Sequence, residues 1–389
     1  MTDTVPGPLS GVLVADFSRI LAGPYATMLL ADLGADVVKV EGPGGDDTRT
    51  WTPPSRGEVS TYYLGINRGK RSIALDLRDE ADAGVARELA GRADVLVENF
   101  RPGGLGKYGL DYASVRAANP GVVYASISGF GPGAGARVPG YDLMVQAMSG
   151  LMSLTGDPDG PPYRAGISVF DVMAGNHAVI GILAALRHRE ATGSGQHVEV
   201  NLMSSALTGL VNQSSAYVAG GVVPYRMGNA HPSVFPYEPL PTADHELIVA
   251  AANDGQFRKL CEVLGIPEVA EDPRFARNAG RTANREELRP ILVERLVRRS
   301  ADEWFELLVE AGVPSGPINT IDGGFAAAER FGLDPVVVVG EGERAMPTTR
   351  HPIRFSETPA AYTLPPPELD EHGAELRKWL TGPREGERT

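Results

Sequence analysis

Short apolar runs alternate along the first half of the chain with longer stretches of helical spacing. GVLVADF (11–17), DVVKVE (36–41), SIALDL (72–77), ADVLVENF (93–100), VVYASISGF (122–130) and GQHVEVNLM (195–203) read as buried strands. Between them, LAGPYATMLLADLGA carries Pro24 near its start and Gly34 near its end, the usual punctuation of a helix. DEADAGVARELAGRA (79–93), DYASVRAAN and a long stretch from Asp171 to Gly193 are also spaced as helices. Strands and helices in this rhythm predict parallel crossovers, so the expected class is α/β, with a large Rossmann-like open-sheet domain.

The pattern changes after residue 205. Residues 206–240 carry Gly, Ser, Asn and Pro without period and read as a linker. HELIVAAAN (245–253) predicts a strand, and DGQFRKLCEVLG, ANREELRPILVERLVRR and ADEWFELLVEAG predict helices. The expected layout is a large domain over 1–205, the linker, and a smaller α+β domain over 241–330. Strands and a last helix, EHGAELRKWL, follow in 331–389.

Composition narrows the function. With 389 residues, two domains are expected. A formal net charge of −13 argues against a general nucleic-acid binder, which would carry basic stripes. It leaves room for an anionic ligand in a local basic pocket. The single cysteine, Cys261, allows no internal disulfide and suits a reducing cytoplasm. No signal-peptide pattern opens the sequence, and no apolar stretch is expected to approach the ~20 residues of a membrane span. Metal-ligand spacings are absent from the sequence, so no metal site is expected. The first strand is followed by SRILAGPYA, with one glycine where a dinucleotide fingerprint needs three, and there is no Walker loop.

One acid stands out. GISVFDVMAG (166–175) has Asp171 as its only charge, and a carboxylate in such company is costly to bury unless something satisfies it. Locally, a helix N-cap explains it, since Asp is a favoured cap residue. A nucleophile is the alternative. For that role the partial charge of a helix start would have to hold the acid ionised against the effect of burial. The same N–H groups would serve a developing oxyanion.

The chain resembles the family III CoA-transferases, the group of formyl-CoA:oxalate and carnitine CoA-transferases, to which the α-methylacyl-CoA racemases are related. The resemblance runs in order through LAGPYATMLLADLGADVVKVE, NRGKRSIALDL, VENFRPG, TGDPDGPPYRAG, GQHVEVNLM, DPRFARNAGRTANREEL, AGVPSGPIN and PPPELDEHGAEL. It implies that Asp171 attacks an acyl-CoA thioester, passes through an anhydride and an aspartyl-CoA thioester, and hands CoA to a free carboxylic acid. Anhydrides hydrolyse, which gives an apolar setting for the acid a purpose.

The resemblance further implies CoA contacts at Ala22, Leu75, Asp76, Leu77, Arg78, Asn99, Phe100, Arg101, Lys107 and Tyr141. Arg78, Arg101 and Lys107 suit phosphates, although surface cations are more often simply solvated. Tyr141 stands where the racemases carry a histidine. Its ordinary pKa near ~10 makes it a poor acid–base partner, which favours transfer over racemisation. The bland reading of Tyr141 is a buried ring with its hydroxyl bonded.

Leu21, a candidate substrate contact, replaces a glutamine of the formyl/oxalate branch, and Gly42 an arginine, so oxalate and formate are not the expected substrates. GNAHP…PY…PTAD looks more like branches that act on larger acids, such as succinate-like dicarboxylates or carnitine-like acids. It makes His231 a candidate acceptor contact; packing or capping is the alternative. By the same resemblance residues 331–389 return to the large domain, and two chains form an interlocked homodimer. CoA would be no resident cofactor, only part of donor and product.

Overall fold

The computed structural model describes residues 6–382. They fall into two compact units, one built from residues up to 151, 165–222 and from 334 on, the other from 152–164 and 223–333.

The first unit is built on a six-stranded parallel sheet: β1 (Leu13–Asp16), β2 (Asp36–Glu41), β3 (Lys70–Ala74), β4 (Val95–Glu98), β5 (Val123–Ser128) and β6 (His197–Asn201). Its order is β3-β2-β1-β4-β5-β6, the doubly wound arrangement expected from the alternation of strands and helices. The order reverses between β1 and β4, where Ala15 pairs with Val38 on one side and Leu96 on the other.

Period-two alternation sends side chains to both faces. Val14, Val37, Val95 and Val97 pack under α1 (Ala22–Asp32) and the long α6 (Val169–Thr192). Ala15, Val38, Leu96 and Tyr124 pack under α3 (Glu80–Arg92), α4 (Tyr112–Ala118) and α12 (Gly373–Thr381). The last helix therefore closes a face that the early strands opened.

Several expectations need correction. Residues 206–240 are not featureless: α7 (Leu202–Gly209) and α8 (Val211–Val218) occupy their first part. Their Ser and Gly content hides two short helices, of which α7 buries Leu202, Ser205 and Ala206 while α8 buries no residue. Two other short helices, α2 (Thr61–Ile66) and α5 (Asp142–Met148), also went unrecognised. Helix α6, at 24 residues, is long and apolar enough to cross a membrane, contrary to the expectation that no stretch would be. Ala174, Ala178, Ile182 and Ala185 bury one of its faces in the core, while Ile180 and Leu183 on the same helix are exposed.

The second unit holds a three-stranded antiparallel sheet, β7 (Tyr237–Pro241), β8 (Glu246–Ala250) and β9 (Ser315–Pro317), with β8 in the middle. Helices α9 (Asp254–Val263), α10 (Arg285–Leu296) and α11 (Ala301–Glu310) bury Phe257, Leu260, Leu292, Trp304 and Leu308. Arg281 is wholly buried there. It donates to the carbonyls of Phe235 and Phe275, both at 2.9 Å, and pairs with Asp254 at 3.0 Å.

Candidate active site

Open α/β sheets bind ligands at the carboxyl ends of their strands, where the order reverses. A cavity of about 520 Å³ lies there, lined by the segments that follow β1, β4 and β5 and by the start of α6. Leu21, Ala22, Asn99, Phe100, Arg101, Lys107, Tyr141 and Asp171 all line it. A neighbouring cavity of about 290 Å³ is lined by Leu75, Asp76, Leu77 and Arg78. Arg19, Phe100 and Tyr108 line both. The sequence-selected residues thus form two adjoining sets around shared walls, with one exception. His231 lies in the second unit, where its Nδ1 accepts the Ser233 N–H at 3.1 Å and its ring leans on Tyr237.

Asp171 is not the cap of its helix. Ser168 holds that position without a side-chain cap bond, and its hydroxyl meets Tyr62 instead. Asp171 is the third residue of the first turn. Its N–H (3.2 Å) and that of Phe170 (2.7 Å) both donate to Oδ1 of Asp142, the first residue of α5. The expectation that the helix start holds Asp171 ionised is therefore reversed, because a second carboxylate has taken those donors. Burial first, and then the Asp142 charge, push the Asp171 carboxyl up to about 7.

Close backbone packing sets the surroundings. A Cβ at Gly175, one turn after Asp171, would lie 2.8 Å from the Ala22 carbonyl oxygen, so only glycine lets α6 lie this close to the start of α1. Gly129, beyond β5, and Gly140, before Tyr141, touch just as closely: a Cβ on Gly129 would lie 2.4 Å from the Gly140 Cα. That crossing brings Tyr141 and Asp142 to the strand ends.

The loop after β1 is held from below by buried charges. Lys39 Nζ reaches Asp46 at 2.9 Å and the Ser18 carbonyl at 3.1 Å. Lys70 Nζ reaches Asp16 at 3.1 Å and the Asn67 side-chain oxygen at 2.9 Å. Burial pushes Asp16 upward, but Lys70 and Lys39 together with hydrogen bonds from Ser18 and Thr27 hold the acid below its ordinary value. Burial depresses Lys70 to about 8. Asp46 also accepts the Ile20 N–H, at 3.3 Å to one oxygen. Ile20 has φ of +71°, a conformation that β-branched residues avoid. Asn99 fixes the next residue back: its amide accepts the Arg19 N–H at 2.9 Å and donates to the Arg19 carbonyl at 2.7 Å.

The cations differ in availability. Arg78 is bidentate to Asp76, at 2.9 and 2.8 Å. Among the described residues, Arg101 and Lys107 have no carboxylate within ion-pair distance, and the Lys107 ammonium lies over the Tyr108 ring. Tyr141 is 56% exposed, so the buried-ring reading is excluded. Asp142, Tyr62, Lys39, Lys70 and Asp46 were missed by sequence reasoning. A lysine inside the apolar strand VVKVE was the one local signal for them.

The profile of the CoA-transferase family III matches residues 9–373. The chain is similar to the succinate–glutarate CoA-transferase of Agrobacterium fabrum, with 46% identity covering 95% of this chain and 94% of that protein. It is also similar to the acetyl-CoA:oxalate CoA-transferase of Acetobacter aceti, with 41% identity covering 98% and 99%. Among solved structures, a CAIB/BAIF family protein from Brucella suis aligns with a TM-score of 0.86 and 45% identity, over 96% of this chain and 100% of that one. From the cavity at the sheet's reversal point and these relationships together, the chain belongs to CoA-transferase family III and is a CoA-transferase.

Proposed function

We propose that the protein moves CoA from an acyl-CoA donor to a free dicarboxylic acid, with Asp171 as covalent nucleophile. The carrying observation is a half-buried acid on the wall of a cavity to which Leu21, Ala22, Ile127, Phe130 and Leu202 contribute apolar surface and Arg101 and Lys107 contribute cations. The Asp171 carboxylate attacks the thioester carbonyl. The C–S bond breaks, leaving a mixed anhydride and CoA thiolate. The thiolate attacks the aspartyl carbonyl and expels the donor acid as its carboxylate. The acceptor carboxylate then attacks the aspartyl-CoA thioester, and the returning thiolate collects the acceptor's acyl group and frees Asp171. Apolar walls protect both anhydrides from hydrolysis. Ala22, the first residue of α1, has an N–H with no intrahelical acceptor and serves as an oxyanion donor in this reading.

Arg101 and Lys107 bind the CoA phosphates, and Phe100 and the Leu75–Arg78 segment accommodate the nucleotide. A dicarboxylic acceptor is supported by the relatives, whose names specify succinate with glutarate and oxalate. The second of these names an oxalate enzyme, so oxalate belongs in the panel of acceptors beside the larger acids. Exposed apolar side chains on α6 to α8, among them Ile180 at 64%, Val211 at 68% and Val218 at 81%, support a homodimer. The interlocked form, the cytoplasmic location and the absence of nucleic-acid or membrane partners belong to the same reading.

The test is to incubate the protein with succinyl-CoA and a panel of free acids and to read the CoA esters by mass spectrometry. Transfer that survives Asp171→Ala sinks the nucleophile. Deuterium uptake at the α-carbon without acyl exchange would favour a racemase, against which the exposed Tyr141 already counts.

A further inference from the structure

Two side chains of α5 hold the whole segment that presents Asp171. Asp142 Oδ1 accepts from Phe170 and Asp171. Gln146, one turn on, donates to the other Asp142 oxygen and to the Ile167 carbonyl at 3.1 Å. The Gln146 oxygen accepts the Ala165 N–H at 2.8 Å. Asp142 and Gln146 are both buried, so solvent cannot replace these bonds. An N-cap side chain normally accepts from the second and third residues of its helix. Asp142 does this for α6 from 29 positions away along the chain, while Ser168 in the cap position has turned its hydroxyl to Tyr62.

We propose that Asp142, braced by Gln146, is a positioning residue of the transfer reaction. It caps the helix that carries the nucleophile, fixes that nucleophile's place at the cavity wall, and withholds the first-turn N–H groups from it. The proposal rests on Asp171 being the nucleophile.

A chemical consequence follows from using a carboxylate as the cap. A hydroxyl cap would secure the same N–H groups without adding charge. Asp142 adds a negative charge beside Asp171 and so makes it a stronger base. The other titratable groups around Asp171 are the Tyr62 hydroxyl on α2 and, at the cavity, Arg19, Arg101, Lys107, Tyr108 and Tyr141. Burial and Asp142 are what shift it.

The basicity matters when CoA thiolate meets the mixed anhydride, which offers two carbonyls. Attack at the aspartyl carbonyl breaks the bond to the donor's carboxylate and goes forward. Attack at the donor's carbonyl expels the Asp171 carboxylate and regenerates the starting thioester. The weaker base leaves more readily, as it does in thiol exchange. At this first anhydride a strengthened Asp171 therefore stays bonded and the ordinary carboxylate departs, whereas at the second anhydride the same preference opposes release of Asp171, so the charge of Asp142 favours loading of CoA onto the enzyme.

The experiment uses the full chain with succinyl-CoA and no acceptor, and follows the CoA adduct on Asp171 by intact mass across pH. Asp142→Asn keeps an oxygen for the two N–H groups and removes the charge. It is expected to form the adduct with its acid limb moved down by about one pH unit. Asp142→Ala removes the cap as well and, assayed with glutarate added as acceptor so that the enzyme turns over, is expected to lose about 10²-fold in kcat with KM for succinyl-CoA within about twofold. A purely structural cap would leave the Asn variant's pH profile on that of the wild type, and that result overturns the proposal. If the Ala variant does not fold, the Asn profile decides alone. A wild-type protein that forms no adduct defeats the nucleophile reading itself. A wild type that does, beside an unshifted Asn variant, defeats only the role of Asp142.

Discussion

Lys70 and Asp16 form an ion pair at 3.1 Å with both side chains wholly shielded from solvent, directly behind the loop that walls the active site. Such a pair is weak evidence of stability in itself, but removing one partner strands the other charge. Lys70→Met is expected to destabilise the protein by about 3–5 kcal/mol. The double variant Lys70→Met with Asp16→Leu should recover part of that loss. Urea unfolding of the three proteins checks both statements; equal losses in the single and double variants would contradict them.

The pH dependence of the first half-reaction follows from Asp171. Its carboxyl lies near 7, and only the ionised form attacks. Adduct formation should rise with pH through about 7 and level off above it. A rate already flat from pH 5 upward would show that the acid is not shifted.

The same shift acts on stability, with a definite sign. Asp171 has a folded pKa above its unfolded value, so the folded state binds more protons between the two and loses stability as pH rises through that window. Above about 7 the full penalty is present. Asp171→Asn should therefore melt higher than wild type at alkaline pH, and the difference should fade toward acid pH as the wild-type carboxyl is protonated. Paired melting curves across pH would show it. A difference of constant size would argue against a burdened carboxylate.

Arg101 and Lys107 face the cavity without carboxylate partners among the described residues, whereas Arg78 is engaged by Asp76. Replacing Arg101 or Lys107 by Ala should raise KM for the CoA donor by roughly tenfold, about 1.4 kcal/mol, and make it less sensitive to salt. Arg78→Ala should cost less, because phosphate has to compete with Asp76. Initial rates at low and high ionic strength would rank the three.

Much of the fold was legible because it rests on local signals. The six sheet strands show as apolar runs, and the capping residue Asp79 marks the start of α3. Asp171 was legible through its isolation in an apolar stretch. What was hidden depends on contacts distant in sequence. Nothing near Asp142 says that its oxygen will cap a helix 29 residues on. Nothing in LAGPYA says that the Ala22 carbonyl will sit where a Cβ on Gly175 would be. Helix α7 was hidden for a related reason: its short sequence resembles a loop until the neighbours that bury Leu202 and Ala206 are supplied.

Ile20 makes the site sensitive to the sheet beneath it. Its left-handed backbone is disfavoured for a branched side chain, and one bond anchoring it runs to Asp46, which Lys39 holds in turn. A strained segment of this kind relaxes as soon as its anchor loosens, well before the strands part. Inactivation should therefore precede unfolding. Under rising denaturant or temperature, CoA transfer should fade while the far-ultraviolet signature of the helices and sheet is still intact, so the working lifetime of the enzyme is set by an interior ion pair more than by its overall melting point.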